Sequence, residues 1–235
     1  MTVCAWVLFA VLAVSDWVAV AVGSKRAEAF LKPAATLALL AVPAVAIAAE
    51  PATFLGPGGI IGGEGHVVIV SPWLFVALGF GLLGDILLLS DSVPRFKAGL
   101  AAFLVGHLAY LLAFVDAGAD WWTFHAAAGG FGAWLFAALM VAALGFTKDV
   151  LPNTWKSGGP GLAIPVALYT LVIATMLGFA FGTGQWLIVL GAVIFVASDS
   201  VLARDRFVAP LPRGHLLVMV TYLVGQALIV AGLLG

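Results

Sequence analysis

All ten lysines and arginines of this 235-residue chain fall in four short segments, and long apolar runs fill most of what remains. A helix needs about 20 apolar residues to cross roughly 30 Å of hydrocarbon. Eight such runs can be placed: 3–22, 33–49, 73–89, 98–115, 123–144, 161–181, 185–203 and 215–234. The runs are continuous rather than alternating, which favours helices over a barrel. With 64% hydrophobic and 9% charged residues and a mean hydropathy of +1.19, an ordinary soluble domain is excluded. The expectation is an all-α polytopic membrane protein, residues 1–235 forming one transmembrane domain of eight helices.

The basic residues orient the spans. Lys25, Arg26 and Lys32 lie between the first and second runs, and Arg95 and Lys97 between the third and fourth. Lys148 and Lys156 lie between the fifth and sixth, and Arg204, Arg206 and Arg213 between the seventh and eighth. The other loops and both ends have none. By the positive-inside rule these four loops are cytoplasmic and both termini face outward. A cell-membrane, multi-pass location follows. Met1 to Val14 lacks a basic leader region, so the first run reads as an anchor that stays.

A net charge of −1 and the absence of a basic run give no nucleic acid a binding surface. Cys4 stands alone and cannot form an intrachain disulfide. With no His-Glu-x-x-His, no histidines four apart and no cysteine cluster, no metal and no cofactor is expected. The glycine-rich stretch from Gly56 to Gly65 lacks the Lys-Ser/Thr of a phosphate loop and reads as a flexible or partly re-entrant outer segment.

Two aspartates inside apolar runs carry the functional signal. Asp85 ends Phe80-Gly-Leu-Leu-Gly-Asp and Asp199 ends Phe195-Val-Ala-Ser-Asp. A carboxylate in hydrocarbon costs several kcal/mol unless paired or hydrated, so it is retained mainly where it acts. Both stand near the cytoplasmic end of spans running in the same direction. Each is followed by a basic loop and a span with polar aromatics, Asp85 by His107 and Tyr110, Asp199 by Tyr222 and Gln226. Pro33 and Pro165 also stand near the starts of the second and sixth runs, so a parallel repeat of four plus four helices is possible.

The remaining polar residues have plainer readings beside the functional ones. Lys32 is a topology anchor, a ligand for lipid phosphate or a partner for a carboxylate. Asp16 either pairs within the bundle or joins the site. His107 and Tyr110 share one face, three residues apart. Tyr169, Tyr222 and Gln226 can hydrogen-bond across helices and support the site without reacting. Asp91, Asp205 and Arg206 read as solvated interfacial groups. Asp116, Asp120, Trp121 and Trp122 mark the outer boundary, and His66 and His125 lie on the outward side.

Lys32-Pro33, Gly84-Asp85, Gly106-His-x-x-Tyr110, the Phe195-x-x-Ser-Asp-x-x-Leu-Ala203 phrase and the Tyr222–Gln226 segment occur in order along nearly the whole chain. In this set the chain resembles the YhhN-type lysoplasmalogenase family, which also has eight helices. It departs in its long glycine-rich second loop. The resemblance implies an intramembrane hydrolase that cleaves the vinyl ether of lysoplasmalogen, a lysophospholipid, to a fatty aldehyde and glycerophosphocholine or glycerophosphoethanolamine. Another ether lysolipid is a possible native substrate. Membrane lipids would be the surroundings and the source of substrate.

Two carboxylates suit that chemistry. A vinyl ether hydrolyses by protonation at its β-carbon, giving an oxocarbenium ion that water captures. A general acid, a negative charge for the cation and a base for the water are needed, as in glycoside hydrolysis. The expectation is Asp85 as the acid and Asp199 as base and cation stabiliser, with Lys32, His107, Tyr110, Tyr169, Tyr222, Gln226 and Asp16 binding substrate or supporting the pair. A proton-coupled transporter or lipid flippase also uses buried carboxylates. An aspartyl intramembrane protease uses two as well, although Gly-Leu-Leu-Gly-Asp85 has one residue more than that class's Gly-x-Gly-Asp.

Overall fold

The structure, a computed structural model, describes residues 1–49, 53–55, 59–61, 70–90, 92–120 and 148–235. Within these residues the chain is built from α1 (Thr2–Ala21), α2 (Lys25–Ala49), α3 (Pro72–Leu88), α4 (Val93–Asp116), α5 (Pro160–Gly182), α6 (Trp186–Phe207) and α7 (Gly214–Leu234). A further helical stretch over 148–158 leads into α5. Six of the seven are long and apolar enough to cross a membrane, and α3 is an apolar helix of 17 residues. The chain is a multi-pass membrane protein, mainly helical as its continuous apolar runs require. The expected span 123–144, with Trp121, Trp122 and His125, lies outside the described residues, as do His66 and Asp91.

Within the segment expected to be a flexible or partly re-entrant loop, two short strands, β1 (Thr53–Leu55) and β2 (Gly59–Ile61), pair antiparallel, with Thr53 opposite Ile61 and Leu55 opposite Gly59. Three helices also extend beyond the apolar runs. Lys25, Arg26 and Lys32 belong to α2, Arg95 and Lys97 to α4, and Arg204 and Arg206 to α6, rather than to loops. Hydrophobicity marks only the stretch that hydrocarbon covers, whereas backbone hydrogen bonding continues the helix through good helix formers at the interface.

The first helix shows how the sequence sorts its faces. Val3, Val7, Val11, Val14 and Val18 are more than half exposed and repeat at helical spacing along one side. Ala5, Phe9, Ala13, Asp16 and Ala19 are buried along another. An outward stripe of valines is stable against lipid, while an inward stripe of small residues lets neighbouring helices approach.

Consecutive helices form three closely packed pairs, α1 with α2, α3 with α4, and α6 with α7. Further contacts join α2 to α3, α4 to α5, α5 to α6, and α7 back to α1 and α2. Two glycine contacts are among the tightest approaches. A Cβ on Gly191 would lie 2.7 Å from the Gly225 carbonyl oxygen, so α6 and α7 touch backbone to backbone. A Cβ on Gly84 would lie 2.6 Å from the Phe103 ring, which therefore occupies the space beside Asp85. The glycine before the aspartate thus admits a neighbouring ring.

Candidate active site

Asp85 is fully buried in the penultimate turn of α3. Three groups from two other helices converge on it. The Lys32 ammonium of α2 lies 3.3 Å from Oδ1. Thr36, one turn along α2, donates to Oδ2 at 2.7 Å, and the Tyr222 hydroxyl of α7 donates to the same oxygen at 2.9 Å. Lys32 is itself only 4% exposed, so its charge and that of Asp85 are balanced inside the bundle. This donor set is complementary to an ionised carboxylate.

The Tyr222 hydroxyl continues the network outward from Asp85. It accepts from Gln226 Nε2 at 2.7 Å, and Gln226 Oε1 accepts from the Tyr110 hydroxyl of α4. Tyr110, Tyr222 and Gln226 are buried, and their chain of bonds satisfies groups that would otherwise be stranded in an apolar interior.

Asp199, on α6, has a different environment. The Tyr169 hydroxyl of α5 donates to its Oδ2. His107 Nε2 of α4 stands 3.8 Å from the same oxygen, beyond direct hydrogen bonding. His107 Nδ1 lies 2.6 Å from the Phe103 carbonyl oxygen. A carbonyl only accepts, so Nδ1 carries a proton, and in the neutral ring Nε2 would present its lone pair toward Asp199. That neutral ring would be a proton-accepting neighbour, unlike the ammonium beside Asp85. The Asp199 side chain is 16% exposed, against 1% for Asp85.

Both aspartates line one cavity of about 100 Å³, together with Lys32, Tyr169, Tyr222 and Ser198. Its remaining wall is largely apolar, including Leu88, Phe96, Phe103, Ile173, Val196 and Phe207. Phe195 separates the two polar clusters, its ring 4.9 Å from His107 and 5.4 Å from Tyr222. Ser198, beside Asp199, donates to the Val218 carbonyl and so fastens α6 to α7.

The supporting groups cross between the two halves of the chain. Asp85 receives α2 from its own half and Tyr222 from the other. Asp199 receives Tyr169 from its own half and faces His107 from the other.

The structure brings Lys32, Asp85, Tyr169, Asp199 and Tyr222 to one cavity. His107, Tyr110 and Gln226 stand behind it, around a narrow gap between α3, α4, α6 and α7. Asp16 is fully buried on α1 and does not line the cavity. Thr36 is a site residue that sequence reading missed; its signal was its place four residues after Lys32, on the same helical face. Of the interfacial residues expected to be solvated, Arg206 is exposed, with its guanidinium also 5.0 Å from the centre of the Phe96 ring at the cavity wall. Asp205 is half-buried, and its Oδ1 accepts from the Leu211 backbone at 2.7 Å where the chain leaves α6. On the other side, Asp116 accepts from Ser71 at 2.6 Å, tying α4 to the start of α3.

Comparison with known proteins adds a lineage. The chain is 34% identical over 156 residues to the protein named lysoplasmalogenase TMEM86B in Homo sapiens, covering 65% of this chain and 59% of that protein. It is 34% identical to the protein of that name in Rattus norvegicus over 67% of this chain and 60% of the relative. For Sus scrofa the identity is 37%, over 57% and 52% respectively. The matched part therefore spans less than two thirds of each of these relatives. No solved structure matches the chain. The YhhN family model matches residues 27–233, and the chain belongs to that family.

Proposed function

We propose that the protein is an intramembrane hydrolase that cleaves the vinyl ether of a lysoplasmalogen into a fatty aldehyde and a glycerophospho-alcohol. The observation that carries this reading is a single apolar-walled cavity holding two carboxylates with unlike partners, Asp85 against an ammonium and Asp199 against a tyrosine and a histidine. The relatives' name supports the same substrate class.

We assign the two roles opposite to those anticipated from sequence. Asp85, surrounded by three donors, serves as the anion and base; Asp199, beside a lone pair, serves as the acid. Asp199 gives its proton to the β-carbon of the vinyl ether, and the π electrons form the new C–H bond. The resulting oxocarbenium ion is stabilised by the Asp85 carboxylate. Water attacks the cationic carbon and its proton passes to Asp85. The hemiacetal then breaks its C–O bond to the glycerol oxygen, which takes the hydroxyl proton, leaving aldehyde and glycerophospho-alcohol. Tyr169 and Tyr222 orient the two carboxylates, and Lys32 holds Asp85.

The cavity lies at the end of the bundle that carries the basic segments. The positive-inside rule puts that end in the cytoplasm, so the phosphate headgroup would meet basic residues there while the chain rises between apolar walls. A plasma-membrane location with both termini outside accords with this placement.

Purified protein in detergent, given lysoplasmenyl-ethanolamine, should release fatty aldehyde and glycerophosphoethanolamine in equal amounts. Folded protein that releases no aldehyde would overturn the reading and favour transport of the lipid instead.

A further inference from the structure

We infer that Asp16 is a proton-exchange site linking the buried Asp85–Lys32 pair to the end of the bundle where Glu28 meets His215. The inference rests on the proposed hydrolysis. Each turnover leaves Asp199 without a proton and Asp85 with an extra one. Asp199 is partly open to the cavity and can be reset there. Asp85 faces the same cavity, but its side chain is only 1% exposed, and a second way out for its proton would let it reset while product still fills that cavity.

Asp16 stands where such a route would run. It is fully buried, and neither of its carboxylate oxygens has a hydrogen-bond partner. A carboxylate left unpaired in the interior destabilises a fold. The titratable groups that act on it electrostatically are Glu28 and Lys32 of α2, Asp85 of α3 and His215 of α7, and α2 and α7 pack directly against α1. Helix α1 is fixed against α7 by Trp17, whose indole N–H donates to the Met219 carbonyl at 3.3 Å. Lys32 and Glu28 are one turn apart on α2, so the groups descend in order from Asp85 toward the surface. The last step is the His215–Glu28 contact at 2.6 Å, where the His215 side chain is 53% exposed. Asp16 lies outside the part of the chain that the family model matches, which begins at residue 27.

The experiment compares wild type with Asp16→Asn and Asp16→Glu, reading aldehyde release, thermal unfolding and recovery by added formate. For Asp16→Asn, kcat should fall about tenfold or more, within the range of a lost proton-transfer group. KM should hold and the unfolding temperature should stay level or rise. Formate, a small diffusible acid–base pair, should restore part of kcat, and Asp16→Glu should retain most of it. Unchanged kcat in Asp16→Asn would overturn the inference. So would a parallel loss of stability and activity with no recovery by formate, which is the signature of a structural residue. Wild type that makes no aldehyde would overturn both this inference and the hydrolase reading. An active wild type with an equally active Asp16→Asn would overturn the relay alone.

Discussion

The Lys32 ammonium stands 3.3 Å from Asp85 with both side chains buried, so each charge depends on the other for its place in an apolar interior. Breaking such a pair strands the surviving charge and costs about 3–5 kcal/mol, whereas removing both is far less damaging. Lys32→Met should therefore lower the unfolding temperature in detergent sharply. Lys32→Met combined with Asp85→Leu should recover much of that stability and none of the activity. A single Lys32→Met variant as stable as wild type would show that the pair is not coupled.

Thr36 contributes one of the hydrogen bonds to Asp85, at 2.7 Å. Thr36→Val keeps the shape and deletes the donor, leaving a buried acceptor short of a partner at a cost of about 1–3 kcal/mol. Calorimetry or thermal melting of the variant measures this directly. Aldehyde assays should show a smaller loss than Asp85→Asn, because Lys32 and Tyr222 remain.

Tyr169 and Tyr222 each bond one aspartate. In Tyr169→Phe and Tyr222→Phe the rings still pack, and the net loss per hydrogen bond should be about 0.5–1.5 kcal/mol of stability. Activity should fall further than stability, since the orientation of the acting carboxyl is lost. Equal, wild-type turnover in both would contradict their positioning role.

Gly84→Ala puts a methyl 2.6 Å from the Phe103 ring. The ring must move, at about 1–3 kcal/mol for overpacking, and the Phe103 carbonyl that holds His107 Nδ1 moves with its residue. Phe103→Leu in the same background should return part of the lost stability.

The helices among the described residues, and the two aspartates, were legible in the sequence because hydrocarbon imposes a simple rule on both. Apolar length marks a span, and a carboxylate inside one stands out. Helix ends were not legible, since Lys25, Arg95 and Arg206 are good helix formers outside the apolar run. Nor was the partner of each aspartate. Whether Lys32 meets Asp85 or Asp199 depends on which helices touch, and hydropathy carries no pairing information between helices that are apolar on nearly every side. The crossing of Tyr222 to Asp85 and His107 to Asp199 is a property of packing alone. Their unlike partners are the basis for the proposed roles, Asp199 as acid and Asp85 as base, which are opposite to those expected from the sequence.

If both carboxyl groups act on the vinyl ether, aldehyde release will depend on each, as Asp85→Asn and Asp199→Asn can show. Each substitution keeps size and removes the acid–base function, so turnover should drop by about 10²–10⁴ in each folded variant. Full turnover in either one would contradict the account.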